Sequence, residues 1–302
     1  MAFASKLNTF YSALLFACVL FSVQSTASAQ IIFQDDFESG DLSRTQNGAG
    51  WDSGAYTSVN TANPRTGSYA LEFNFVAAPD GEDSWAEQRF NLNGNYPEVW
   101  VKYDLFIPAN YYQRNQGGNS ANNKLFVHLW TDTTNGVASY GGADGIAGGF
   151  EVWSSGDGFG NVSFHPIRPE MGHIMDIKRN TRGIEAADLG NWIEIVIQVR
   201  AGTTGSTAFA QGGAVNVWKT STNGTTRLIY SLEPSSVNLD AWQQTISFLS
   251  SPDGRNYFNR GYLLGWANSG FLQSTRLYID NVIFADTPLI NLDPPASPTP
   301  TP

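Results

Sequence analysis

Short strand-like segments separated by turn residues fill most of this chain. Segments such as "IIFQDDF", "YALEFNF", "WAEQRFNL" and "RLYIDNVIF" are rich in β-branched and aromatic residues, and clusters of Gly, Asn, Asp, Ser and Pro lie between them. No stretch keeps a helical period of apolar residues for more than about three turns. Strands without helices bury their apolar faces against another sheet, so the pattern predicts an all-β sandwich or barrel of antiparallel sheets.

Two segments show which strand face is expected to be buried. Residues that alternate along a strand project to opposite faces of the sheet. The predicted core faces carry Ile193, Ile195, Ile197 and Val199 in "NWIEIVIQVR", and Val99, Val101, Tyr103, Leu105 and Ile107 in "VWVKYDLFI". The opposite face of the second segment carries Trp100, Lys102, Asp104 and Phe106, and we expect it to meet solvent or a ligand.

The segment "NNKLFVHLW", residues 122 to 130, places titratable groups among apolar neighbours. Strand alternation assigns Leu125, Val127 and Leu129 to a core face. The other face carries Lys124, Phe126, His128 and Trp130. This second face is predicted to be either a wet surface or the floor of a binding cleft.

The two ends of the chain have the composition of processing and linker segments. Residues 1–29 contain Lys6, a short apolar run and "ASA" before Gln30, which predicts a signal peptide and secretion to the extracellular space or periplasm. The apolar run is too short for a membrane span. The sole cysteine, Cys18, lies in this segment, so no disulfide is expected in the mature chain. We predict one domain over residues 30–290 and a Pro/Thr-rich linker or tail over 291–302.

Composition narrows the choice of partners. Aromatic residues make up 13% of the chain and charged residues 15%, and the formal net charge is -10. An acidic surface repels polyanions, so we expect no nucleic-acid partner. The same charge argues mildly against an acidic polysaccharide unless basic residues gather locally.

Motifs at both ends and in the interior support a family resemblance. The opening "FQDDFESGDLS", the closing "RLYIDNVIFAD", and the interior "WVKYDLFIP" and "NNKLFVHLW" resemble the jelly-roll domains of the concanavalin A-like lectin and glucanase superfamily, and in layout the secreted bacterial polysaccharide lyases (alginate or glucuronan lyase-like). The resemblance covers roughly residues 31 to 287. It implies an antiparallel two-sheet β-jelly-roll sandwich, with a glycan lying across one concave sheet.

The resemblance also suggests which residues carry the activity. Jelly-roll alginate lyases have an arginine-bearing strand, a strand ending in Gln-x-His and a late Tyr-rich strand. Arg89 in "WAEQRF" and His128 in "KLFVH" match the first two, and the late strand offers Tyr257 and Tyr262. Phe126 stands in place of the glutamine, which argues against alginate and leaves other uronate polymers open.

A lyase that removes the C5 proton of a uronic acid must neutralise the carboxylate, supply a base and protonate the leaving oxygen. Arginine pairs with carboxylates bidentately, and a tuned His, Lys or Tyr serves as acid or base. The predicted catalytic residues are Arg89, Lys124, His128, Tyr103 and Tyr262. The predicted substrate-binding residues are Trp100, Lys102, Trp130, Trp153, Trp266 and Glu87. The expected partner is a polysaccharide, bound by a monomer or by one part of a multimodular protein.

Two other functions remain open at this stage. A glycoside hydrolase needs two carboxylates across the scissile bond, and Glu87, Asp104 and Glu151 lie on non-core strand faces, although the acidic motif of jelly-roll glucanases is absent. A non-catalytic carbohydrate-binding module or lectin-like domain needs only aromatic platforms and a few polar groups. His165 and His173 flank a Pro-containing loop and match no metal motif.

The chain ends supply a candidate cation site. Asp36, Glu38 and Asp280 lie in terminal segments that pair in this fold, and their oxygen atoms suit a hard cation. A structural Ca²⁺ ion is the one cofactor that we consider, with a set of surface acids as the alternative. No organic cofactor is expected.

Overall fold

The chain folds as two antiparallel β-sheets packed face to face. The computed structural model describes residues 30–115, 122–133, 145–168, 172–173, 177–202, 213–232 and 254–290. Within these ranges there are seventeen strands and one short 3-10 helix, Ala186–Asp188. The predicted signal peptide (1–29) and Pro/Thr-rich tail (291–302) lie outside the described residues.

Sheet A has eight strands, in the order β15-β14-β13-β7-β17-β5-β4, with β1 also paired to β17. The β17 strand near the end of the described chain therefore lies beside β1 near its beginning. The strands of sheet A are β1 (Ile31–Asp35), β4 (Thr57–Asn60), β5 (Ala70–Phe75), β7 (Glu98–Ile107), β13 (Asn191–Arg200), β14 (Ala214–Thr220), β15 (Thr226–Leu232) and β17 (Thr275–Ala285).

Sheet B has nine strands, in the order β11-β10-β9-β8-β16-β6-β3-β2, with β12 also paired to β10. Its centre is formed by β8, β16 and β6, which are distant in sequence. The strands of sheet B are β2 (Thr45–Gln46), β3 (Ala49–Ala55), β6 (Ser84–Tyr96), β8 (Asn122–Trp130), β9 (Ala147–Ser154), β10 (Gly160–Arg168), β11 (Gly172–His173), β12 (Ile177–Arg182) and β16 (Phe258–Ala267).

The core lies between the inner faces of the two sheets. The alternating apolar residues of β13 and β7 all belong to one buried cluster, which confirms the predicted core faces of these strands. Burying apolar side chains in this way supplies about 25 cal/mol for each Å² removed from water. The predicted antiparallel jelly-roll sandwich is thus confirmed in its two-layer, all-strand architecture.

A local irregularity in β8 corrects one face assignment. Leu125 pairs with Phe150 of β9 and His128 pairs with the next residue, Gly149, so Phe126 and Val127 have no partner there. Phe126 takes a left-handed backbone conformation (φ 63°) and is fully buried in the core. It does not share the outer face with Lys124 and His128, because the bulge turns its side chain inward.

The neighbouring strand β16 contains a similar irregularity. Leu264 is also left-handed (φ 59°) and is followed by Gly265 at φ 116°. The side chains of Leu263 and Leu264 both belong to the core cluster. These two irregular segments lie side by side, since Leu263 pairs with Val127.

Across the described ranges, no helix has the length and apolar character needed to cross a membrane.

We predict that the inner face of sheet A carries most of the stability of this layer. Ile195→Ala removes a fully buried side chain and should lower the free energy of unfolding by about 2–5 kcal/mol. Leu228→Ala, at a 52% exposed position in the same sheet, should change it by less than about 0.5 kcal/mol. Urea unfolding of both variants measures the difference, and equal effects would contradict this core assignment.

Candidate functional site

Sheet B brings four of the five predicted catalytic residues to its outer face. Arg89 of β6 pairs in register with Tyr262 of β16, and Tyr262 pairs with His128 of β8. These three residues therefore form a row across the centre of the sheet. Lys124 lies further along β8, on the same face as His128 because the bulge adds two residues and preserves the alternation.

His128 is held between an aromatic ring and a glycine. The rings of His128 and Tyr262 stack with centroids 4.6 Å apart and planes inclined by 16°. On the other side, His128 pairs with Gly149 of β9, and a Cβ atom at Gly149 would overlap the imidazole ring. His128 is fully buried in this position. The absence of a side chain at residue 149 is therefore what makes room for the histidine.

A second glycine lies beneath Tyr262 and Lys124. A Cβ atom on Gly265 would lie 2.6 Å from the Tyr262 ring and 3.3 Å from Cδ of Lys124. Both side chains therefore extend over the irregular segment of β16. The bulge at Phe126 and the left-handed backbone at Leu264 turn these two side chains inward, which leaves this part of the outer face to Lys124 and Tyr262.

A buried carboxylate connects the basic groups on the β9 side. Glu151 lies 3.9 Å from Nζ of Lys124 and 3.4 Å from Nδ1 of His165, and its Oε2 accepts a hydrogen bond from Asn122. Burial opposes ionisation of Glu151, but His165, Lys124 and Asn122 together hold its pKa below the usual value. Glu151 therefore remains a carboxylate that orients the Lys124 ammonium group.

Arg89 is held at one end of its guanidinium group. Its Nε donates to Oε1 of Glu87 at 2.7 Å, and Glu87 is almost completely buried. Within the part of the chain that the structure describes, the two terminal nitrogens of Arg89 have no hydrogen-bond or ion-pair partner. The Arg89 side chain is 34% exposed, so this nitrogen pair is presented to an anion from outside.

The protonation states of the stacked pair differ. Burial, with Lys124 and His165 nearby, holds the pKa of His128 well below its usual value, so the imidazole is neutral at pH 7. Burial, together with the charges of Glu87 and Glu151, holds the pKa of Tyr262 well above its usual value, so the phenol stays protonated. The site thus combines a group able to accept a proton with one able to donate it.

Three predicted site residues belong to the other sheet and are corrected here. Tyr103 is in the core of β7, where burial raises the pKa of its hydroxyl well above the usual value. Trp100 stacks on Trp218 at 5.6 Å on the outer face of sheet A, and Lys102 pairs with Glu194 there. None of the three reaches the row on sheet B, because β7 lies in the opposite layer.

The remaining predicted substrate-binding residues lie on strands of sheet B. Trp130 packs on Tyr262 at 5.8 Å and is buried, while Trp153 on β9 is half-buried. Trp266 is 39% exposed and stacks at 5.0 Å on Trp85, its register partner on β6. Glu87 faces the same side as Arg89, and it orients that arginine.

The three residues of the predicted cation site each have another partner. Asp36 pairs with Arg44, Glu38 accepts backbone N–H groups of Ser68 and Tyr69, and Asp280 accepts those of Arg65 and Thr66. Among the described residues, no group of three or more His, Cys, Asp or Glu side chains is arranged to hold a metal ion. These carboxylates fix turns and do not fit a Ca²⁺ site.

Sequence reasoning missed several residues of this face. His165, interpreted only as flanking a Pro-containing loop, is on β10 and pairs with Gly149. Arg260 precedes Tyr262 by two positions on β16 and pairs with Asp52 and Asp132. Alternation of side chains along "NVSFHPI" and "RGYLLGW" places His165 and Arg260 on the outer face, so the two-residue period of these strands could have identified them.

Tyr257, the other tyrosine suggested for the late strand, precedes β16, and its carbonyl accepts a hydrogen bond from Thr131.

Comparisons with known proteins identify the fold. No protein-family model matches the chain, and no curated protein matches it by sequence. Among solved structures, an endo-β-1,4-glucuronan lyase from the fungus Trichoderma reesei is similar with a TM-score of 0.54 and 13% identity over 85% of this chain and 96% of that chain. An alginate lyase from a Chlorella virus is similar with a TM-score of 0.55 and 12% identity, over 84% of this chain and 99% of that one. At these identities the likeness confirms the predicted jelly-roll fold.

Gly149 gives a first test of the site geometry. Gly149→Ala should lower the free energy of unfolding by about 1–3 kcal/mol, because the added methyl group overpacks against the imidazole ring. The double variant Gly149→Ala with His128→Ala should be more stable than Gly149→Ala alone, since removing the ring makes room for the methyl group. Urea unfolding of the set measures this coupling. A Gly149→Ala variant as stable as the wild type would disprove the close contact between residue 149 and the His128 ring.

The neutral state of His128 gives a second test. The folded state disfavours the imidazolium, so below about pH 6.5 the unfolded chain binds more protons and stability falls as pH falls. Between about pH 6.5 and 5, His128 should contribute a slope of up to about 1.4 kcal/mol per pH unit. Subtracting the unfolding profile of His128→Asn cancels the titration of other groups. Parallel profiles over this window would refute a buried neutral histidine.

Proposed function

We propose that this protein is a polysaccharide lyase that cleaves a uronic-acid-containing glycan by β-elimination. One observation carries the proposal: Arg89 presents two terminal nitrogens to the outside while Tyr262, beside it in register, stacks on a neutral His128. An arginine fork binds a carboxylate, and an adjacent acceptor and donor of protons serve an elimination.

Each step of the elimination has a residue suited to it. Arg89 pairs with the uronate carboxylate and lowers the cost of negative charge developing next to C5. His128 takes the C5 proton, and the C–H electron pair forms the C4=C5 double bond as the C4–O bond breaks. Tyr262 gives its proton to the leaving oxygen. Lys124, held beside Glu151, adds positive charge near the reacting centre.

The solved structures of similar fold are consistent with this chemistry. The two similar structures reported above, each with a TM-score above 0.5, are described as lyases, one acting on glucuronan and one on alginate. We take a polymer of uronic acid as the substrate class, without choosing between these two glycans. Secretion, inferred from the residues of the N-terminal segment, agrees with a polysaccharide substrate.

A second function, glycan binding without cleavage, is favoured by the burial of the central pair. His128 is 0% and Tyr262 is 3% exposed, so a bound sugar meets Arg89 and Lys124 first. A binding protein needs only such exposed groups. The two functions differ in product, since only elimination creates an unsaturated uronate that absorbs in the ultraviolet.

Hydrolysis has less support. Asp104 lies in sheet A and cannot act with Glu87 and Glu151 of sheet B. A hydrolase also needs a carboxylic acid with a raised pKa to protonate the leaving oxygen. The pKa of Glu151 is shifted downward instead, and Glu87 is paired with Arg89.

The proposal predicts the effect of three substitutions on elimination. With glucuronan, alginate and pectate as substrates, ultraviolet absorbance should rise for the wild type on at least one polymer. His128→Ala and Tyr262→Phe should lower kcat by about 10²–10⁴-fold, as expected for removing a base or an acid. Arg89→Ala should lower kcat/KM by about 10²–10³-fold through lost charge stabilisation.

Arg276→Ala supplies the matched control, because this arginine is exposed on sheet A beside Glu72. It should keep wild-type turnover. Near wild-type turnover in Arg89→Ala and His128→Ala would disprove the assigned roles. Retention of the wild type in a glycan-containing gel, with no absorbing product from any of the three polymers, would replace the lyase proposal by the binding function.

A further inference from the structure

An aromatic cluster lies at one end of the face that carries the proposed active site. Trp85 and Trp266 are register partners on β6 and β16 and stack at 5.0 Å with planes inclined by 17°. Tyr56 meets Trp85 edge to face at 6.0 Å. We call Tyr56, Trp85 and Trp266 the aromatic platform. It is distinct from the row of Arg89, which lies four positions further along β6, about 13 Å at the usual rise per residue.

The platform is open to solvent although its rings are large and apolar. Tyr56 is 57% and Trp266 is 39% exposed. Folding normally removes such rings from water. Two exposed rings that both pack on the half-buried Trp85 therefore indicate a surface that binds a ligand.

Tyr56 is kept in this place at a conformational cost. Its backbone is left-handed (φ 55°), which is rare for an aromatic residue. Its carbonyl oxygen accepts a hydrogen bond from the backbone N–H of Asn74 at 2.9 Å, and this contact fixes the connection between β3 and β4. An unfavourable backbone that presents an exposed ring beside a stacked pair is consistent with selection for binding.

The charges near the platform differ from those near the row of Arg89, Tyr262 and His128. The segment "DGED", residues 80–83, immediately precedes β6 and carries three acidic residues. Asp80 pairs with Arg114, whereas Glu82 and Asp83 have no ion-pair partner among the described residues. Negative charge next to the platform repels a uronate carboxylate, while the apolar face of an uncharged pyranose suits indole and phenol rings.

We propose that the aromatic platform is a separate subsite for an uncharged pyranose ring of the bound glycan. This inference rests on the proposed function in that both sites hold one polysaccharide along sheet B. Its consequence is a mixed substrate: a uronate at Arg89 and a neutral sugar several positions away. A second contact point away from the cleavage site also favours long chains over short ones, because linked contacts reinforce each other.

The test uses uncharged hexasaccharides as probes. Binding of cellohexaose, mannohexaose and xylohexaose to the full chain is measured by isothermal titration calorimetry. The wild type should bind at least one, and Trp266→Ala should bind that probe about tenfold more weakly. Trp218→Ala is the matched control, because Trp218 is half-buried on the outer face of sheet A and should leave the affinity unchanged.

Arg89→Ala separates this inference from the proposed lyase activity. It should bind the neutral probe with wild-type affinity while losing elimination of uronate polymers. If the wild type cleaves no uronate polymer but Trp266→Ala still weakens the neutral probe, only the lyase proposal fails. The platform is disproved if the wild type binds none of the three probes, if Trp266→Ala binds as well as wild type, or if Arg89→Ala weakens the neutral probe equally.

Discussion

The site depends on the register of three central strands of sheet B. Side chains alternate with a period of two, so a shift of one residue in β6, β8 or β16 would move the Arg89 row into the core. The two left-handed residues, Phe126 and Leu264, interrupt this alternation locally, and the register of the rest of the row is kept. Each sends an extra apolar side chain inward, and the outer surface next to it is left to Lys124 and Tyr262.

The same row shows how an acidic protein presents positive charge. The chain has a net charge of -10, yet Arg89, Lys124 and Arg260 lie on one face of one sheet. Each is paired with a carboxylate that is itself nearly buried, namely Glu87, Glu151 and Asp132. A buried carboxylate fixes the direction of the cation's side chain and still leaves the outer donors of that cation open to an external anion. Arg260, which has Asp52 as a second partner, is neutralised more completely than Arg89.

Sequence patterns predicted the layers better than they predicted the site. Alternation placed Ile193 to Val199 and Val99 to Ile107 in the core, and this holds in the structure because each run lies in an unbroken ladder. The same pattern assigned Tyr103 to the core, which conflicted with its proposed catalytic role, and the physical pattern was the better guide. Trp100 and Lys102 lie on the outer face of their strand, as alternation predicts, but Trp100 is fully buried beneath Trp218 and does not meet solvent. Local alternation also does not encode which of the two sheets a strand joins.

The residues that sequence missed share a physical reason. Gly149 matters only because the His128 ring of the neighbouring strand fills the space that a side chain at residue 149 would need. The two residues are 21 positions apart in the chain. Phe126 turns inward only because β9 supplies two residues fewer than β8. Trp85 becomes part of the platform only because Trp266 of β16, 181 residues later in the chain, pairs with it. Each feature depends on strand pairing, which local propensity does not encode.

The order of groups along β6 and β16 suggests why charge and aromatic rings are kept apart. Trp85 and Trp266 lie at one end, Arg89 and Tyr262 in the middle, and Arg260 with its two aspartates beyond. A ring stack gains from burying apolar surface, whereas a fork for a carboxylate gains from low local dielectric and fixed donors. Placing both at one position would force a sugar to satisfy both at once. Under the proposed function, their separation along the same two strands lets successive parts of one polymer meet different chemistry, while the pairing of β6 with β16 fixes the spacing between them.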